Sequence, residues 1–201
     1  MKFKVLIILL ITALIFACEE KKTGPSNSAA DLVEEGWTLF IEAIGDEDFE
    51  NANIKFLEAL QQDTTYADAH NGMGWCFAKL DSLNKSISAF QTCINVDPPD
   101  SIVSEAYAGI SISYQANGDY QSSIDNGSFI TSGWVFSRDA NVNYQDVILI
   151  LAEDYYSIGE FILCLYKVQI LDPTFNVNVN TPMGRSQLAQ KIELLKSQIM
   201  G

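Results

Sequence analysis

Few residues in this 201-residue chain are of a type that does chemistry. There is one histidine, His70, and there are four cysteines, Cys18, Cys76, Cys93 and Cys164. A single imidazole argues against His-based metal sites and most nucleophile–base triads. On a helix, His70 and Cys76 fall on opposite sides, so their spacing does not make a Cys–His nucleophile pair. No Gly-rich phosphate loop, zinc-ligand spacing or G-x-S-x-G elbow occurs. Carboxylates are abundant, 26 Asp and Glu against 12 Lys and Arg, so paired acids are background and nothing singles out a glycosidase-type pair. A net charge of −14 repels a polyanion and excludes nucleic acid as a partner. The chain reads as non-catalytic and without a cofactor.

The reactive residue that stands out is Cys18, because of what precedes it. Lys2 and Lys4 form a positive start, and Val5 to Phe16 (VLIILLITALIF) form an apolar run of 12 residues. A bilayer core needs roughly 20, whereas a signal-peptide core is this short. Ile15-Phe16-Ala17-Cys18 then leads into Glu-Glu-Lys-Lys. This resembles the lipobox of bacterial lipoproteins, a small residue before a cysteine that is lipidated and becomes the mature N-terminus; Phe16 is bulkier than usual there. Ordinary secretory cleavage wants an A-x-A arrangement, which Ile15 breaks. The resemblance implies a signal peptide over 1–17, a lipid on Cys18, and an address in the bacterial cell envelope, with the outer membrane expected. Two or more acyl chains hold a protein stably on a membrane. Residues 18–30 read as a disordered tether, whose last twelve residues reach at most ~40 Å when extended.

The elements that must carry any site follow from an internal repeat. Counting Ala67 as position 1, position 4 is His70, 8 is Gly74, 11 is Phe77, 20 is Ser86, 24 is Phe90, 27 is Cys93 and 32 is Pro98. Phe56/Phe90, Ala59/Cys93 and Thr64/Pro98 recur at a 34-residue offset. This resembles the tetratricopeptide repeat family, in which small residues let two helices approach closely and large ones fill the gap. Further units start near Val33, at Ser104 with the turn Gly118-Asp119-Tyr120, and at about 143; Gly127 stands where the third unit should have an aromatic. The resemblance implies an all-α fold, a short right-handed helical solenoid of three to four hairpins over 31–173. A C-terminal capping helix is expected over 174–201, with the apolar stripe Leu188, Ile192, Leu195 and Ile199. Residues 131–142 (TSGWVFSRDANV) read as an extended connection, and Asn143 with Asp146 as a capping box that opens the next helix.

On the same resemblance, His70, Cys93 and Cys164 take packing positions, and Cys76, Cys93 and Cys164 are expected as buried free thiols. First-helix positions in this family line a concave groove. Carried over, they are Glu34, Trp37, Ile41 and Ile44, then Asp68, Asn71, Trp75 and Lys79, then Glu105, Ile112 and Gln115, then Asp146, Leu149, Glu153 and Tyr156. Two tryptophans ringed by carboxylates describe a strip for a protein or peptide segment that is basic and has apolar anchors. The basic clamp that some members use for C-terminal carboxylates is absent. Two other readings stay open: the tryptophans pack between repeats or under the N-terminal tether, or Trp37, Trp75 and Ile112 line a pocket for a small apolar or cationic ligand. On the groove reading, replacing both Trp37 and Trp75 by Ala is expected to abolish partner capture while helicity and melting temperature stay nearly unchanged. A double variant that unfolds places the rings in the core.

Overall fold

Helix starts in this chain are set by side chains that satisfy the first free N–H groups. A computed structural model describes residues 27–199, so the signal segment, Cys18 and most of the tether lie outside the described residues. Ser28 caps α1 (Ala29–Glu42): its Oγ accepts from the Asp31 N–H at 3.2 Å, and the Asp31 carboxylate accepts the Ser28 N–H at 2.9 Å. Ala29 and Ala30, expected in the tether, therefore belong to the helix. The Asp48 carboxylate takes the N–H groups of Ile44 and Gly45 at 2.9 and 3.2 Å and opens α2 (Asp46–Gln62). Then come α3 (Ala67–Lys79), α4 (Leu83–Asn95), α5 (Asp100–Ala116) and α6 (Tyr120–Gly127), the last capped by Asp119. Asn143 and Asp146 form the expected capping box at α7 (Tyr144–Ser157), and α8 (Phe161–Leu171) and α9 (Pro182–Ile199) follow, α9 starting later than the capping helix expected from 174.

The described residues are all-helical, as expected, with an isolated antiparallel bridge between Val135 and Asn143 and no strand. Each helix packs on its successor, α1, α3, α5 and α7 each touch the next of their set, and α9 packs on α7 and α8. Gly118 and Gly159, at φ 79° and 84°, make the left-handed turns that end α5 and α7.

Two buried phenylalanines set the spacing. The ring of Phe56 lies on Gly36 and Gly72, where an added Cβ at Gly72 would sit 2.3 Å from the ring. Phe90, 34 residues on, lies on Gly74 and Gly109, where the corresponding distance at Gly109 is 2.2 Å. Each ring thus belongs to one helix pair and seats on the first helix of the next, a contact only glycine admits. At the third such position Gly127 supplies no ring. Ser111 and Leu151 close in on it instead, and α6 ends after eight residues.

The three thiols of Cys76, Cys93 and Cys164 are free and buried, as expected, and burial pushes each up to about 12. Burial thus disfavours the thiolate, the reactive form, at neutral pH. Asp154 is the one carboxylate among the described residues that is wholly buried, and neither of its oxygens has a hydrogen-bond partner of ordinary geometry. Desolvation pushes its carboxyl up to about 7; the nearby Ser123 opposes the shift and Glu153 adds to it. The folded state therefore favours the proton more than the unfolded chain does, so stability is full below the ordinary carboxylate range and falls as pH rises towards 7. Asp154→Asn is expected to exceed the parent in stability at pH 8 by on the order of 2–4 kcal/mol, with the difference vanishing near pH 4. Urea unfolding at the two pH values reads this directly, and a pH-independent difference contradicts it.

Candidate functional site

Trp37 on α1, Asp68, Asn71 and Trp75 on α3, and Glu105 on α5 come together on one face, but that face is covered. The cover is the segment 131–142. Instead of passing on as a simple connection, it doubles back: Phe136 N–H bonds to Val142 O and Tyr144 N–H to Trp134 O, both at 2.9 Å. The tip of this narrow loop carries Phe136, Ser137 and Arg138 across α1, α3 and α5.

Phe136 is 2% exposed. Its ring stacks on Trp75, with centroids 4.2 Å apart at 21°, and meets Trp37 and Phe40 edge-on at 6.0 and 6.3 Å. Trp37 is fully buried against Phe40 and Phe56 as well, and Trp75, 4% exposed, also packs on Phe90. The expectation that the two indoles form a free surface strip is therefore corrected. They are core, because the chain itself supplies the ring that desolvates them.

The polar contacts follow the same pattern. Glu105 is 5% exposed and satisfied on both oxygens, one accepting Asn71 Nδ2–H at 2.7 Å and the other the Ser137 backbone N–H at 3.1 Å. A buried carboxylate without such donors is costly, so this pair of bonds ties the loop to α5 and α3. Asp68 accepts Trp37 Nε1–H at 3.0 Å and lies 3.4 Å from Arg138 Nη2, which is equally far from Glu34. The Arg138 guanidinium sits 4.8 Å from the Trp37 ring centroid, a cation–π contact. An aromatic ring and a positive charge do occupy the acidic, tryptophan-bearing face, and both belong to this chain. Trp75 Nε1 and Asn71 Oδ1 stay buried beneath the loop's face without a partner.

The other expected positions separate. Ile41 is exposed, and Ile112 is half-buried against the same core as Trp37 and Trp75. Leu149 is fully buried with Cys164, Val168 and Leu188, because α8 and α9 cover its side of α7; it too is corrected from surface to core. Gln115, Glu153 and Tyr156 converge, with Tyr120, Ile192 and Lys196, on an open cleft of about 400 Å³ between α5, α7 and α9. Glu153 takes Gln115 Nε2–H and the Lys196 ammonium, each at 2.7 Å, and that carboxylate holds the Lys196 ammonium above its ordinary value. The terminal helix thus supplies one wall of the cleft as well as a cover for the core.

Reasoning from the sequence missed Phe136, Arg138 and Lys196 as site residues. A signal was there for the first two. Trp134, Phe136 and Arg138 alternate with Val135 and Ser137, the period of an extended segment with one buried side. Among the described residues no cluster of three or more metal-ligating side chains occurs, and no helix is long and apolar enough to cross a membrane. No protein-family model matches this chain, and no curated protein is significantly similar to it.

Phe136→Ala is expected to cost about 3–5 kcal/mol, the range for emptying a large aromatic from a core. It should also make tryptophan fluorescence more accessible to acrylamide. A variant that melts like the parent shows that the loop does not hold this face.

Proposed function

We propose that this chain is a membrane-anchored, non-catalytic scaffold of the bacterial cell envelope that binds a protein or peptide partner, built as a short solenoid of tetratricopeptide-like hairpins. The helix order supports the architecture: four successive pairs, with the first helices of the pairs in contact, followed by a terminal helix. The Phe56 and Phe90 contacts at a 34-residue offset support it further. The lipid on Cys18 is part of the same reading, and holding the module on a membrane raises its effective concentration towards complexes there.

The observation that carries the binding role is how the face of the first helices is divided. Its front part already holds an extended segment through an aromatic anchor and a guanidinium. Its rear part, at Gln115, Glu153 and Tyr156, is open. A partner segment lies in that cleft with an apolar group near Tyr120 and Tyr156 and a positive charge near Glu193. The alternative role as a small-ligand carrier rested on a pocket at Trp37, Trp75 and Ile112, and Phe136 packs on both of those indoles.

The test uses the full chain in its own membrane, with a photo-crosslinking amino acid at Tyr156. One discrete protein adduct is expected, lost in a Tyr120→Ser, Glu193→Lys variant whose helicity is unchanged, since both residues are exposed. An adduct indifferent to those changes, or none, overturns the cleft as the site. Cys18→Ser is expected to move the chain from the membrane fraction to the soluble one; retention on the membrane rejects the lipid anchor.

A further inference from the structure

The segment 131–142 is lightly attached to the face it covers. Its main-chain bonds run within itself: Phe136 N–H to Val142 O, Val142 N–H to Asp139 O and Trp134 N–H to Thr131 O, at 2.9, 3.0 and 3.2 Å. Among the described residues, the Ser137 N–H on Glu105 is its one main-chain bond to α1, α3 and α5. Its outer residues, Val135 and Ser137 among them, are exposed, so no second layer holds the segment down. Gly133, at φ 87° and with open space where a Cβ would stand, turns the chain near its start. Lifting the tip breaks that one bond and the contacts of Phe136 and Arg138, while the Phe56 and Phe90 contacts between helix pairs stay in place.

The segment is also an imperfect occupant. Beneath it Trp75, 4% exposed, has no acceptor for its Nε1–H, and Asn71, fully buried, has no donor for Oδ1. Buried polar groups left unpaired cost free energy, and the C=O and N–H of an extended main chain are their complements. Arg138 is loosely placed as well: its Nη2 lies 3.4 Å from both Glu34 and Asp68, long for a charge-assisted bond. The face suits an extended segment with a ring and a cation. The segment that covers it satisfies the ring fully and the polar groups only in part.

We propose that residues 131–142 are an autoinhibitory occupant of this face, displaced by a segment of a partner protein that carries an aromatic ring with a guanidinium two residues on. The acids Glu34 and Asp68 select a basic segment. Its main chain takes up the free groups of Trp75 and Asn71, and that is its advantage over the resident loop. Trp37 and Trp75 are core in the closed form, and the loop keeps them from water until the exchange. This does not rest on the cleft between α5, α7 and α9, which involves other residues.

The test uses the full chain and, as probe, a fluorescent peptide of residues 131–142, TSGWVFSRDANV. The resident loop outcompetes its own free sequence because its effective concentration is high. Arg138→Ala loosens the loop without emptying the core. The peptide is expected to bind this variant about tenfold more tightly than the parent, for the loss of one cation–π contact and two long ion pairs. A peptide carrying Phe136→Ala and Arg138→Ala binds neither protein. A photo-crosslinker at the peptide's Phe136 position is expected to mark α1 or α3. Equal affinity for parent and variant, binding to neither, or an adduct elsewhere overturns the proposal. Amide hydrogen exchange of the unaltered chain decides independently of whether the variant folds. The Phe136, Ser137 and Val142 amides are expected to exchange about 100-fold faster than the interior of α3, through local opening. Exchange at the α3 rate overturns it equally.

Discussion

The stacking of Phe136 on Trp75 is the contact through which the front half of this molecule holds together. The ring touches side chains of α1 and α3, and the backbone next to it bonds to a buried glutamate of α5. Three helices that would otherwise meet only their neighbours are joined by one loop. Without the loop, two indoles and several apolar neighbours would face water, and Glu105 would lose one of its two donors. Removing that aromatic surface from solvent, together with the Glu105 and Arg138 contacts, works against the entropy of ordering the loop.

The loop follows a break in the packing pattern at a glycine. Phe56 and Phe90 each fill the space between one helix pair and the next, and each needs glycines at the approach. Gly127 breaks the series. Leu151 and a serine hydroxyl occupy the space, the second helix of that pair is short, and the chain beyond it returns across the earlier helices rather than starting α7 at once. The loss of side-chain volume at Gly127 thus stands just before the segment that closes over the earlier helices. Burial of Asp154 beside Ser123 in the same region is the cost of a junction that is packed by small and polar residues where elsewhere an aromatic does the filling.

This closure takes the tryptophan face off the surface. Acids that surround the tryptophans already have their cation in Arg138, and the apolar anchor is already in place. What stays open is the part of the face that α9 borders.

Much of the architecture was legible in residue order alone. Cap residues, glycines at turns, the 34-residue recurrence of Phe56 and Phe90, and the stripe on α9 are local or strictly periodic signals, and helices obey such signals because their hydrogen bonds and side-chain neighbours lie within four residues. That acids gather beside the two tryptophans was legible too, since it depends only on residue type and helical position. What would cover them was not. Phe136 and Arg138 reach Trp37 and Glu34 from about a hundred residues away, through an irregular loop, and no local rule says where such a loop lands. Surface or core, for Trp37, Trp75 and Leu149 alike, is decided by what packs on a helix from outside it, and that is settled only when the whole chain has folded.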